Sequence, residues 1–325
     1  MFTKKKPTIA VLTSGGDAPG MNAAIRAVVR SAIAREMKIF GVYHGYNGLI
    51  DGKFEEMQLR SVSDIMQKGG TMLYTARCPE FCTQEGIDKA VKMCYRYGID
   101  GVVTIGGDGT FRGAGELSAA GVPCVGIPCT IDNDIACSEY TIGYDTAMNT
   151  AMRMVDNIRD TVQSHDRCNI VEVMGRHAGW LALNTGISCG ASVVLVPEIE
   201  YDFDRDIHSK ITSTFGTGKH HFIIVAAEGV GGLDEIAKQI IDKTGMEVRT
   251  TVLGHIQRGG SPTVQDRVYA TEMGYRAVEL LSEGKGNRVV AIKDGKMVDY
   301  DLNEALAMKK PFDYELFEIA HAVSI

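Results

Sequence analysis

Apolar residues along this chain come in short solid blocks, not in strict alternation. Thr8 to Thr13, Lys38 to Tyr43, Gly101 to Ile105, Val122 to Ile127, Asn169 to Met174, Ser192 to Val196, His221 to Ala227 and Val248 to Leu253 each read as a strand covered on both faces. Between them lie stretches with apolar residues at helical spacing. Met21 to Arg35 carries Ala24, Val28 and Ala32 on one stripe, and Thr141 to Asp160 carries Ala147, Ala151, Met154, Val155 and Ile158. Ile87 to Tyr97, Ile236 to Ile241 and Tyr269 to Leu281 follow the same rule, and a final helix ends the chain. Ser63 to Lys68 reads as a short helix, Gly45 to Gly48 as a loop, and Val289 to Val298 as a hairpin turning at Asp294-Gly295. Strands alternating with helices imply an α/β fold of mainly parallel sheets covered on both faces. Eight or so strands suit two sheets better than one, and 325 residues suit two domains. There is no short-period repeat and no low-complexity linker.

Composition narrows the possibilities. Charged residues make up 23% and apolar residues 45%, the balance of a soluble globular protein with material for two cores. The net charge of −7 argues against a broad nucleic-acid surface, while leaving room for anionic ligands in a cleft lined by a few arginines. Cys78, Cys82, Cys94, Cys124, Cys129, Cys137, Cys168 and Cys189 form no CxxC pair, which fits unpaired thiols in a reducing cytoplasm. Lys4-Lys5-Lys6 precedes an apolar run too short for a signal peptide, and no apolar stretch reaches membrane-spanning length. A cytoplasmic protein with no membrane partner is expected.

The candidate chemistry sits where strands end. Ser14 to Gly20 is a glycine-rich turn between a strand and a helix, a natural phosphate site, although a tight structural turn competes. It matches neither the GxxxxGK[ST] nor the GxGxxG pattern. Gly106-Gly107-Asp108-Gly109-Thr110 repeats the arrangement with a carboxylate inside it. A carboxylate beside phosphate calls for a cation between them, which points to Mg2+ at Asp108. Pro128 to Asp134 brings Thr130, Asp132 and Asp134 directly after a buried strand, where a metal ligand, a proton acceptor or a self-bonded polar turn are all open readings. Arg176, Glu228, Arg249 and Arg258 also recur at strand exits, with Gly16, Asp108 and Asp132. No serine elbow and no histidine metal cluster accompanies them. Glycine-cradled phosphate with acids and arginines suggests Mg2+-assisted phosphoryl transfer.

Five stretches occur together: Thr13 to Gly20, Gly106 to Gly109, Thr130 to Asp134, Met174-Gly175-Arg176 and Gly254 to Gly260. In this order, over nearly the whole chain, they resemble the bacterial 6-phosphofructokinase family. The resemblance implies two doubly wound domains, 1–143 plus 257–307 for the nucleotide and 144–256 plus 308–325 for the sugar phosphate. It implies transfer of the γ-phosphoryl of ATP to the 1-hydroxyl of fructose 6-phosphate, giving fructose 1,6-bisphosphate and ADP. Gly16, Tyr46, Arg77, Cys78, Gly107, Asp108, Gly109 and Thr110 would hold the nucleotide, with Mg2+ at Asp108. Asp132 would take the alcohol proton, with Thr130, Arg176 and Arg77 beside the reaction. Ile131, Met174, Gly175, Arg176 and Glu228 would hold the sugar. His255, Ile256, Gln257 and Arg258 would line its 6-phosphate, joined by Arg167 and Arg249 of a neighbouring subunit in a homotetramer. Arg26, Arg30, Arg159, Gly190 and Lys219 match effector contacts of the family, with solvated arginines as the competing reading.

Several positions depart from the family's pattern. ATP-using members usually carry glycine where this chain has Cys129. Pyrophosphate-using members carry lysine there and a second aspartate at the place of Gly109. Cys129 brings no phosphate-binding charge and Gly109 leaves room for an α-phosphate, so ATP is the expected donor and pyrophosphate the alternative. Leu59, Ser192 and Thr217 stand where the family commonly has an arginine, a glutamate and a lysine, so regulation by ADP or phosphoenolpyruvate is expected to be blunted or absent. A nicotinamide oxidoreductase, an NAD kinase and an inactive nucleotide-sensing paralogue are the remaining alternatives.

Overall fold

The computed structural model describes residues 6–324; Lys4 and Lys5 of the basic run lie outside the described residues. In chain order the elements are β1 (Thr8–Thr13), α1 (Met21–Ala34), β2 (Lys38–Val42), α2 (Gly45–Asp51), β3 (Phe54–Glu56), α3 (Gln84–Tyr97), β4 (Gly101–Gly106), α4 (Asp108–Ala119) and β5 (Cys124–Pro128). Then come α5 (Tyr144–Ser164), β6 (Cys168–Val173), α6 (Trp180–Ser188), β7 (Val193–Leu195), α7 (Ser209–Phe215), β8 (Phe222–Ala227), α8 (Leu233–Thr244) and β9 (Val248–Val252). The chain finishes with α9 (Val264–Ser282), β10 (Arg288–Lys293), β11 (Lys296–Asp301), α10 (Leu302–Ala307) and α11 (Tyr314–Ala322). Two compact units result. The first comprises Met1–Thr130, Ile135–Asp145 and Arg258–Lys310; the second comprises Ile131–Asp134, Thr146–Gln257 and Pro311–Ile325.

The first unit is built on a seven-stranded sheet in the order β11-β10-β5-β4-β1-β2-β3. Its centre is parallel, and only the β2–β3 and β10–β11 pairs run antiparallel. Every residue of β1 and β4 is buried, as solid apolar blocks require when helices cover both faces. From β1 the chain crosses through α1 to β2 on one side; from β4 it crosses through α4 to β5 on the other. The strand order therefore reverses between β1 and β4, and ligands of such sheets bind beyond the carboxyl ends at a reversal of this kind. Helices α1 and α9 approach closely because Gly274 has no side chain. A Cβ there would lie 2.6 Å from Ala27 Cβ and 3.0 Å from the Ala24 carbonyl oxygen.

The second unit holds a four-stranded, all-parallel sheet in the order β7-β8-β6-β9. Ile170, Leu195, Ile207, Phe222, Ile224, Ile236 and Ile240 form its core. β9 is an edge strand, and only its first residue, Val248, is buried.

The sequence reading needs correction in three places. Gly45 to Gly48, expected as a loop, forms the start of α2. Gly48 is required there because a Cβ would run into the Tyr43 carbonyl oxygen, and the helix stops at Gly52, whose left-handed φ of 74° lets its N–H reach back to the Gly48 carbonyl. Ser63 to Lys68, expected as a helix, is a series of turns. Asp64 has φ of 56°, and Lys68 donates to the carbonyl of Ile65, three residues back. The short antiparallel edge strand β3 is an addition to that reading, whereas the expected hairpin forms β10 and β11; the described residues hold eleven strands. Among the described residues, no helix is long and apolar enough to cross a membrane.

Candidate active site

Two glycine loops lie side by side in the first unit, after β1 and after β4. Ser14 donates its N–H to the Ile105 carbonyl at 3.0 Å, and the Thr110 hydroxyl donates to the Ser14 carbonyl at 3.0 Å. Gly106 sits between them with no space for a Cβ, which would strike the Thr110 hydroxyl and the Ser14 carbonyl. Asp108 opens α4, just after Gly107. A Cβ on Gly109 would meet nothing within 4 Å, so this helix start faces open space. Bare amides at a helix N-terminus beside a carboxylate are suited to a phosphate accompanied by a cation. Gly16 lies directly under the guanidinium of Arg258, whose Nη1 donates to the Asp17 carbonyl at 3.2 Å. Arg258 therefore belongs to this glycine loop in the first unit, whereas His255, Ile256 and Gln257 belong to the second.

Other expected nucleotide contacts fall into two groups. Arg77 is exposed and Cys78 half-buried on the loop before α3. Tyr46 and Thr110 instead lie inside. The Tyr46 ring stacks on Phe81 with centroids 4.1 Å apart, and its hydroxyl donates to the Thr110 carbonyl at 2.6 Å. Burial holds the Tyr46 phenol well above its usual pKa. Both residues brace the loop after β4 rather than present a side chain to a ligand. Cys129 is sealed in as well. It is 1% exposed, its N–H donates to the Gly106 carbonyl at 3.0 Å, and burial first, then Asp266 and Asp17, push its thiol well above the usual range. Thr130 follows, half-buried, its carbonyl accepting from the Thr141 hydroxyl at 2.7 Å.

In the second unit a separate group gathers at the carboxyl ends of β6, β8 and β9. Asp132 is only 1% exposed, and its Oδ2 lies 3.3 Å from Nε of the half-exposed Arg176. Arg176 has φ of 55° and follows Gly175 with φ of 136°. This left-handed pair turns the chain sharply after Met174. The strained turn is held by Glu228, whose Oε1 accepts the Arg176 N–H at 2.7 Å. Gly229 packs so closely that a Cβ would strike the Arg176 carbonyl. Met174 donates its N–H to Gln257 Oε1 at 3.3 Å. Gln257 is fully buried, so it is a strut under Met174. His255 and Ile256 are exposed on the turn after β9.

Arg167 and Arg249 lie at the other end of the same sheet. Arg167 immediately precedes β6, and Arg249 is the second residue of β9. The two are joined by Glu247, with Arg167 Nε 2.9 Å from Oε2 and Arg249 Nη2 2.6 Å from Oε1. Sequence reading does not single out Glu247; its only signal is the spacing of two from Arg249, which puts both on one strand face. The effector candidates Arg159, Gly190 and Lys219 also meet in the second unit. Arg159 donates to the Cys189 and Gly190 carbonyls, and Lys219 donates to the Ser192 hydroxyl at 3.5 Å. Burial, then the charge of Arg159, lowers the Lys219 pKa. Arg26 and Arg30 belong to α1 of the first unit, where burial and then Arg30 lower the Arg26 pKa.

The chain as a whole is similar to known proteins. The sequence model of the family described as Phosphofructokinase matches residues 8–281. A protein of Clostridium botulinum (strain Hall) named ATP-dependent 6-phosphofructokinase is 55% identical, covering 98% of this chain and 99% of its own length. A protein of the same name from Bacillus cytotoxicus is 53% identical over 98% of this chain. Among solved structures, phosphofructokinase from Saccharomyces cerevisiae superposes with a TM-score of 0.87 at 35% identity, covering 98% of this chain and 47% of the yeast chain. A pyrophosphate-dependent phosphofructokinase from Marinobacter aquaeolei superposes with a TM-score of 0.85 at 20% identity, a likeness of fold. With the family model matched over residues 8–281 and relatives 53–55% identical over nearly the full length, the chain belongs to the phosphofructokinase family.

Proposed function

We propose that the protein is an ATP-dependent 6-phosphofructokinase, a glycolytic kinase that converts fructose 6-phosphate and ATP to fructose 1,6-bisphosphate and ADP. The observation that carries this reading is the buried Asp132 with Arg176 Nε at 3.3 Å. The sugar's 1-hydroxyl oxygen attacks the terminal phosphorus of ATP. As the new O–P bond forms, the bond from that phosphorus to the bridging oxygen of ADP breaks, and the hydroxyl proton passes to a carboxylate oxygen of Asp132. A carboxylate is a weak base toward an alcohol, but the phosphoryl transition state is loose and the proton leaves late. Placement and charge compensation matter more. The Arg176 backbone is held by its left-handed turn and by Glu228, its guanidinium lies beside the Asp132 carboxylate, and that cation would offset charge on the transferring phosphoryl.

The residues at the start of α4 suit Mg2+. That ion takes one or two carboxylates plus substrate phosphates and keeps its waters, and Asp108 beside the open Gly109 offers this. When bound, Mg2+ would neutralise charge on the phosphates. The glycine loops after β1 and β4 would present backbone N–H groups to them, with Arg77 adding a cation. Met174, Gly175, Glu228 and His255 would hold the sugar phosphate. ATP is favoured over pyrophosphate because Gly109 faces open space and Cys129, enclosed in the first unit, supplies no cation.

The positions of the arginines support a site that draws on a neighbouring copy, in the homotetramer that the family resemblance implies. β6 has six residues. At roughly 3.3 Å per residue its ends lie too far apart for Arg167 and Arg176 of one chain to grip one sugar phosphate. Arg167 and Arg249 would therefore serve a neighbouring copy. Eight thiols with no disulfide suit a cytoplasmic enzyme. Turnover of fructose 6-phosphate with Mg2+ and either ATP or pyrophosphate tests the donor. Fructose 1,6-bisphosphate should form with ATP; activity confined to pyrophosphate would reverse the assignment.

A further inference from the structure

We infer that Glu247 is a built-in competitor for the sugar phosphate: its carboxylate occupies Arg167 and Arg249 when the ligand is absent, and it lowers their affinity for the ligand. The inference rests on the reading of those two arginines as phosphate ligands.

The geometry is that of a carboxylate standing in for an oxyanion. Each oxygen of Glu247 takes a different guanidinium, Oε2 against Arg167 and Oε1 against Arg249. The register fixes this arrangement. Cys168 of β6 pairs with Val248 of β9, and Cys168 donates its N–H to the Glu247 carbonyl at 3.0 Å, so Arg167 and Glu247 are cross-strand neighbours. Glu247 and Arg249, two residues apart, share a face of β9. Guanidinium forks fit carboxylate and phosphate alike, so the same two arginines can exchange one anion for the other.

The grip on Glu247 is incomplete in a way that suits exchange. Arg167 Nε is buried and lies 2.9 Å from the carboxylate, yet it makes no hydrogen bond, so the contact is a charge contact off the N–H axis. A buried donor in that state favours an acceptor that can align with it. The Glu247 and Arg249 side chains are 46% and 64% exposed, so solvent screens their pairing and an incoming dianion can displace it.

Removing the charge while keeping the shape should therefore tighten substrate binding. Glu247→Gln is expected to lower KM for fructose 6-phosphate about three- to tenfold, the scale of one like charge at a half-exposed site. kcat and KM for ATP should stay within about twofold. Inorganic phosphate, as a competitor of fructose 6-phosphate, should bind more tightly to the variant by a similar factor. A strand staple without an electrostatic role would leave both values unchanged or weaken them. The gain should also vanish in an Arg249→Ala background. If Arg249→Ala raises KM for fructose 6-phosphate but Glu247→Gln lowers neither KM nor the phosphate inhibition constant, the inference about Glu247 is wrong and the arginine assignment stands. If Arg249→Ala leaves KM for fructose 6-phosphate untouched, both are wrong.

Discussion

Asp132 and Arg176, proposed as the proton acceptor and its guanidinium neighbour, lie 3.3 Å apart. Asp132 is buried to 1% exposure, and the Arg176 backbone is held on a left-handed turn by Gly175 and Glu228, which fixes where its side chain starts. If Asp132 takes the proton only as the O–P bond forms, its loss should affect the transition state and not substrate binding. Asp132→Asn is expected to cut kcat by about a hundred- to ten-thousandfold, with KM for fructose 6-phosphate within a few-fold. Steady-state kinetics checks this, and near-normal turnover would remove Asp132 from the role of base. Sequence reading singles out both as candidates, Asp132 among several open readings of a polar stretch after an apolar block and Arg176 at a strand exit. The direction a side chain points was not visible. Tyr46, Thr110 and Gln257 read as ligand contacts, yet each is buried and bonded to the protein itself. Cys129 shows the reverse, since its departure from the family pattern is turned into the interior.

At the scale of elements, the two glycine loops are one structure. The bond from Thr110 to Ser14 and the bare Gly106 let the exits of β1 and β4 touch, with the start of α4 left open beside them. Two glycines three residues apart should therefore behave oppositely. Gly106→Ala forces a Cβ against Thr110 and Ser14 and should destabilise the fold by about 1–3 kcal/mol. Gly109→Ala meets nothing within 4 Å and removes a glycine from a helix, so it should leave stability unchanged or raise it by up to ~1 kcal/mol. It should nevertheless raise KM for ATP, because the methyl group enters space proposed for phosphate. Urea unfolding and nucleotide kinetics on the two variants separate these outcomes. The solid apolar strands were legible because burial on both faces leaves a plain record. α2 was not, because Gly45 and Gly48 resemble loop residues; Gly48 is there to admit the Tyr43 carbonyl. The acid at Glu247 was equally silent, because its meaning depends on which strand lies beside β9.

At the scale of the molecule, the division of labour follows from where each sheet ends its parallel strands. The first unit gathers glycine loops at the reversal between β1 and β4. The second unit gathers Arg176, Glu228 and His255 at one end of its sheet and Arg167 and Arg249 at the other. That separation motivates the proposal that the site draws on two chains. Mixing subunits tests the claim most directly. Asp132→Asn and Arg249→Ala chains, each nearly inactive at low fructose 6-phosphate, are dissociated together and reassembled. If the base and the phosphate-holding arginine come from different chains, random pairing should restore about a quarter of the sites, and activity should rise far above the sum of the two parents. A mixture no more active than its parents would contradict the shared site and the roles assigned to both residues.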